Sequence, residues 1–536
     1  MWTILDSTTR AAWFAATSQQ GQLEALQSAI GASPRLVVLT SSLGELSRVT
    51  LGAPTINTGT TPRRLEMGDL VAGSFVNTAT GAPGFVEVRT SGGTVILRAA
   101  AGTAGAFVNF AGPIRQRCAP SIGAGEVVVQ ANGSLPDVLL TYTVRQVETN
   151  GIITPGSQPS AWYRNGALYH GWVDASGNSG LTKYTAPSTQ QRTILSAAPE
   201  DNSHNNCVID WTADGRLVAL WSRHNSTAGV QVRVASAVES VTGGFGSVVA
   251  LTDSGNATSY VNTFRLSQNG KFYAASRIGA SNPRPTKAWS TTDFSTWSSP
   301  VTWISDPAQR PYPKFLSDGV SRVHMVFSNG HPAEIATDLR YAYMQLDGSN
   351  VERFYRMDGT EQVGGATPSG STQIVSNAAG RVWPYDMAFG PDGEIWVLYF
   401  RFPTPTDHRI MFVKSTGGRT GWAAPVEIAT TGGSLYAAED YSHAGAVFDF
   451  EDPTTIYLCR RDGGTTHKVE RWTTSNNGAS WSFGAVIQSN ADVTKENFQV
   501  VSPVDHGGNL PVMYCRGTYT YWDAGFSTEQ FGLVKD

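Results

Sequence analysis

The sequence predicts an all-β protein built mainly as a seven-bladed β-propeller, and three observations carry that prediction. Its 536 residues include 56 Gly, 15 Trp and 18 Tyr, with 40% hydrophobic and only 15% charged residues, which suits many short strands joined by tight turns. Seven segments (161–173, 207–223, 262–277, 311–328, 385–402, 444–461 and 498–516) each read as an apolar strand, a turn and an aromatic-rich strand. Their starts lie 46 to 74 residues apart, the spacing of a four-stranded blade with its loops. Three further segments place a hydroxyl residue seven positions before a Trp: Ser290 before Trp297, Ser415 before Trp422 and Thr474 before Trp481.

One blade cannot bury both of its faces, so the repeats must close into a ring. The turns suit hairpins: Asn165-Gly166, Asp214-Gly215, Asn269-Gly270, Asp318-Gly319, Asp392-Gly393, Asp452-Pro453 and Gly507-Gly508. Residues 1–122 differ in texture. Trp13, Phe14, Leu23, Leu26 and Ile30 give 9–30 a helical period that Gly31 stops. Alternating segments at 36–39, 73–76, 84–88 and 94–98 follow, separated by Gly- and Thr-rich turns, and suggest a small β-sandwich. The expected organisation is an attachment domain of helix and β-sandwich over 1–122, then a catalytic propeller over 123–536.

The net charge of −4 lacks the basic excess of a nucleic-acid surface. No run of about 20 apolar residues predicts membrane insertion. Met1-Trp2-Thr3-Ile4-Leu5-Asp6 lacks the basic start and apolar core of a signal peptide. Cys118, Cys207, Cys459 and Cys515 are far apart, form no CxxC pair and read as buried free thiols. No metal site and no cofactor are expected.

The chemistry-bearing residues come as two hairpin pairs. His204 precedes an inner strand, and His224, twenty residues on, ends the strand that pairs with it across Asp214-Gly215. A hairpin whose turn lies midway brings its ends together, so both imidazoles reach one rim. Tyr260 and Arg277 converge in the same way across Asn269-Gly270 in the next repeat. The four groups suit β-elimination from a uronic acid. A permanently charged, forked guanidinium can hold the carboxylate and stabilise the enolate-like state. A neutral His or a phenolate-like Tyr can take the C5 proton, and an acid protonates the leaving oxygen.

These residues carry a resemblance. The run His204-Asn205-Asn206, Asp214-Gly215-Arg216, Ser222-Arg223-His224 is similar to the two-histidine segment of the BNR-type propeller family that includes the ulvan lyases. Tyr260, Asn269-Gly270 and Arg277 resemble that family's Tyr–Arg hairpin, with one extra residue in the turn. Arg310-Pro311-Tyr312-Pro313-Lys314, Asn329-Gly330-His331-Pro332, Asp407-His408-Arg409 and Tyr441 with Glu451-Asp452-Pro453 extend the likeness over about 155–490. The resemblance implies lyase chemistry on a uronate polysaccharide, with Arg277 neutralising the carboxylate and His204, His224 and Tyr260 sharing base, acid and positioning roles. Asn205, Tyr312, Lys314 and His331 are the candidates for substrate binding. This chain departs from the pattern at Ser203, where an acid is frequent, at Val261, where Pro is frequent, and at Asn225, where Gly is frequent. The three hydroxyl-to-Trp segments resemble degenerate Asp-box turns of sialidase-type propellers and imply a structural role. Residues 1–122 resemble small phage tail-protein domains, which implies a virion-tail or extracellular setting and other tail proteins as partners.

Three functions therefore compete. The leading one is a lyase, in the setting of a phage tail depolymerase acting on acidic capsule or exopolysaccharide. The others are a non-catalytic, receptor-binding propeller that grips sugar and a sialidase-like hydrolase using paired carboxylates.

Overall fold

The computed structural model describes 142–153, 156–197, 204, 206–416, 421–436, 439–441, 444–461, 467–489, 495–518 and 527–535; within 1–141 it describes only the backbone of ten short strands. Two compact units divide the chain, 1–139 with 391–394, and 140–390 with 395–536. The first unit holds a six-stranded and a four-stranded sheet, and its strands Arg35–Leu39, Phe85–Arg89 and Val95–Ala100 fall on expected alternating segments. The expected helix at 9–30 lies outside the described residues.

In the second unit seven antiparallel sheets form the seven blades. Their inner strands, in chain order, are Ala161–Arg164, Val208–Trp211, Thr258–Leu266, Tyr312–Ser317, Arg381–Phe389, Ala446–Phe448 and Glu496–Val501, and they define blades 1 to 7. All seven repeats seen in the sequence are the inner hairpins of these blades. The turn residues have the conformation their chemistry suggests: Asn165 and Gly166 both take positive φ, as a two-residue hairpin requires. The longest spacing, between blades 4 and 5, accommodates a fifth strand, Thr372–Val375, on blade 4.

Alternation explains why the ring is needed. In blade 2, Val208, Val218 and Leu220 pack into blade 3 beside Phe272 and Trp289. Their neighbours Ile209, Leu217, Ala219 and Trp221 pack into blade 1 beside Tyr169. Both faces of the strand are buried, so the period-2 pattern is apolar throughout. Comparable clusters join blades 3 to 4, 4 to 5 and 5 to 6, and one larger cluster joins 6, 7 and 1. The ring is closed by Tyr142–Glu148, which pairs with Ser527–Lys535 as the outermost strand of blade 7.

The hydroxyl-to-Trp turns sit on these seams. Asp293 Oδ1 accepts from the amides of Ser295 and Thr296, both at 2.8 Å. Trp481 packs between Phe412 of blade 5 and Phe448 of blade 6. Cys207, Cys459 and Cys515 are buried free thiols, and Cys118 lies outside the described residues. No helix among the described residues is long and apolar enough to cross a membrane.

Candidate active site

The inner strands begin, and their hairpin partners end, at one face of the ring, and the candidate residues gather there. Val208 pairs with Leu220, so His204 and His224 extend beyond the same end of one hairpin. Their rings stack with centroids 4.2 Å apart and planes 20° from parallel. Tyr260 joins from blade 3, its ring 4.8 Å from that of His204.

Tyr260 is placed by a β-bulge. Ser259 pairs with Arg277 and Val261 with Ser276, which leaves Tyr260 as the unpaired residue, at φ 57°. That conformation is unfavourable for a bulky side chain and persists only where its surroundings impose it. Here they do. The amide of Val261 donates to Ser157 Oγ at 3.2 Å, and Asn262 Nδ2 donates to the Gly156 carbonyl at 3.2 Å. Gly156 lies under the ring, where any β-carbon would overlap it.

Arg277, one residue from the bulge, is 3% exposed. Its guanidinium stands 4.8 Å over the Tyr260 ring and 5.2 Å over that of Tyr312. Nη1 donates to the Tyr312 hydroxyl at 2.7 Å. Nε and Nη2, the two donors along the other edge of the fork, have no partner among the described residues. Arg277 borders a cavity of about 100 Å³ with Tyr260, Asn262, Tyr312, Lys314 and Trp383.

The electrostatics favour neutral imidazoles. Burial first, then His224 and Arg277, hold His204 well below the usual histidine range. Burial followed by Arg277, Arg284 and Arg310 lowers His224 to about 3. His331 falls to about 2 for the same reasons, burial and then Arg310 and Arg277. Burial raises the Tyr260 phenol well above 10, so it rests protonated.

The remaining candidates divide. Tyr312 positions Arg277, and His331 meets the Tyr312 ring at 5.3 Å. Lys314 lines the cavity and is buried, and desolvation lowers it to about 8 while Asp386 opposes that shift. Asn205 lies outside the described residues. Arg284, which the sequence reading missed, donates to Asn225 Oδ1 at 3.2 Å beside His224, and Arg310, named there only within a motif, pairs with Glu334. Their signal was weak because both lie in loops that only the closed ring brings to the histidines. Asn225 takes φ 56°, which explains the frequent Gly at that position, since Asn tolerates the left-handed region.

The family described as BNR repeat-containing family member matches residues 167–427. A PL25 ulvan lyase among the solved structures has a TM-score of 0.57 at 11% identity, over 73% of this chain and 96% of that one. The PL25 ulvan lyase bound to -[GlcA(1-4)Rha3S]- gives 0.56 at 11% identity, with the same coverage. No curated protein matches this chain. The class defined is a seven-bladed β-propeller, similar over residues 167–427 to the BNR repeat-containing family. In particular, its fold is similar to that of the PL25 ulvan lyases.

Proposed function

We propose that the protein is a polysaccharide lyase that cleaves a uronic-acid-containing glycan by β-elimination. One observation carries this reading: a buried arginine with no carboxylate partner among the described residues and two adjacent donors left open, Nε and Nη2. A buried, uncompensated cation is costly, and a bidentate carboxylate supplies what is missing. Arg277 holds the uronate and stabilises the negative charge that develops as C5 is deprotonated. The neutral histidine pair takes the proton, and the protonated Tyr260 phenol gives one to the leaving glycosidic oxygen.

Substrate binding also sharpens the base. Arg277 is one of the charges that depress both histidines, so a carboxylate on it offsets that effect and raises their basicity when substrate is present. The likeness of fold to lyases of a uronate glycan supports the reading by analogy only. Its setting, a depolymerase of host capsule or exopolysaccharide on a phage tail or outside the cell, rests on the resemblance of 1–122 to tail-protein domains. In that setting this region would attach to other tail proteins.

The test is a panel of uronate polysaccharides followed by ultraviolet absorbance of the unsaturated product. New reducing ends without absorbance would replace the lyase with a hydrolase, and binding without depolymerisation would leave a receptor-binding propeller. A uronide whose leaving group needs no proton should rescue Tyr260→Phe but not His204→Ala, which assigns acid and base.

A further inference from the structure

Beyond Arg277 and Tyr312 a second set of rings adjoins the cavity, in contact with it through Trp383. Trp383 opens the inner strand of blade 5 and lines the same cavity as Arg277. It packs on Tyr312 at 4.8 Å. Tyr441, in the connection to blade 6, lies nearly parallel to Trp383, 5.9 Å away at 13°. His331 meets both edge-on, at 5.1 Å and 4.9 Å. None of the proposed proton transfers uses Trp383 or Tyr441.

This wall is held rigid from behind. Arg381 Nη1 and Nη2 donate to the two carboxylate oxygens of Asp440 at 3.0 and 2.7 Å, and Nη1 also donates to the Pro332 carbonyl at 3.1 Å. His408 Nε2 meets the Asp440 carbonyl at 3.0 Å. One guanidinium thus ties together the segments carrying Trp383, Tyr441 and His331. Both Trp383 and Tyr441 remain partly exposed. Fixed aromatic faces that keep some contact with solvent are fitted to a flat ligand surface, and they bind it with little loss of their own freedom.

We infer that Trp383 and Tyr441 form a sugar-stacking subsite, which takes the C–H face of a pyranose ring one or more units from the scissile bond. The inference rests on the reading of the Arg277 site as glycan-cleaving. It adds a direction: the glycan runs from Arg277 across Tyr312 toward blades 5 and 6. Recognition here needs no charge on the sugar.

The experiment measures binding and turnover separately on one set of probes: ulvan, hyaluronan, alginate, glucuronan, gellan and xanthan. The full chain carrying His204→Ala serves for binding by affinity electrophoresis, and the unmodified full chain for elimination. Trp383→Ala and Tyr441→Ala should each weaken binding of the recognised polymer about 10-fold, or about 1.4 kcal/mol. They should raise KM for the polymer with kcat within about twofold, and Trp383→Phe should recover part of the loss. A disaccharide unit too short to reach Tyr441 should show no such difference in Tyr441→Ala. Unchanged binding and KM in both variants, each folded by circular dichroism, overturn the subsite and leave the lyase intact. Weakened binding by a protein that eliminates nothing overturns the lyase and leaves the subsite. No binding of any probe by the unmodified chain overturns both.

Discussion

Arg277→Lys isolates the geometry of the proposed carboxylate clamp from its charge. In the structure the fork is divided: Nη1 is held by the Tyr312 hydroxyl at 2.7 Å, and Nε with Nη2 stays open. Lysine keeps the charge but presents a single point donor, so a substrate carboxylate loses one of two charge-assisted bonds. Such a bond contributes about 1.5–3 kcal/mol. Loss of one donor to a developing oxyanion costs about 2.7–4 kcal/mol in the transition state. The two ranges meet near 3 kcal/mol, which corresponds to a fall of about 10²-fold in kcat. KM should change less, because the charge that attracts the substrate remains. The assay is initial rate by ultraviolet absorbance on the polymer that the unmodified protein cleaves, with a thermal melt confirming the fold. Arg277→Lys turning over within about threefold of the unmodified protein would refute bidentate clamping, and with it the main argument for elimination.

Tyr312→Phe removes the hydroxyl that orients Arg277 and should lower kcat about 10-fold with little effect on melting temperature, as measured by the same assay and melt. Gly156→Ala drives a β-carbon into the Tyr260 ring and should cost about 10-fold to 10²-fold in kcat, while retained affinity by electrophoresis shows that binding persists. Asn225→Ala should destabilise the fold by about 1–2 kcal/mol in urea, because alanine is strained at φ 56°, and Asn225→Gly should cost less. The pH dependence follows from the depressed histidines. Below about 6.5 the unfolded chain binds protons that folded His224 does not accept until about 3, so stability falls with pH across that window. Urea midpoints measured from pH 7 to pH 4 should drop, and His224→Gln should flatten the drop.

Much of the ring was legible because its signals are local. A Gly-containing turn between two apolar strands marks six of the seven inner hairpins, Asp452-Pro453 being the exception, and Asp214-Gly215 lying midway between His204 and His224 suffices to predict that both reach one rim. Tyr260 and Arg277 followed the same logic, although the unpaired residue of their hairpin is Tyr260 itself, in a bulge that no local signal marks. What stayed hidden depends on ring closure. Arg284, Trp383 and Gly156 come from three different connections or strands, and nothing in their neighbourhoods says that Arg284 reaches His224 or that the other two border the cavity beside Arg277. The sequence offers Lys314 as a substrate-binding candidate, but its burial beside Asp386 is a property of two blades, which one segment cannot supply.

The strand that closes the ring also sets a schedule for making it. Tyr142–Glu148 is synthesised before any blade, yet its partner Ser527–Lys535 belongs to the far end of the propeller. At about 5–20 residues per second, the early strand waits roughly 20–80 s for that partner to emerge. Throughout that interval Tyr142–Glu148 is a strand-forming segment without its partner, a state open to wrong pairing with a second chain. Yield of soluble protein should therefore depend on translation speed and expression temperature. A proteolytic nick that releases Ser527–Lys535 from the finished molecule would leave Tyr142–Glu148 without its partner again.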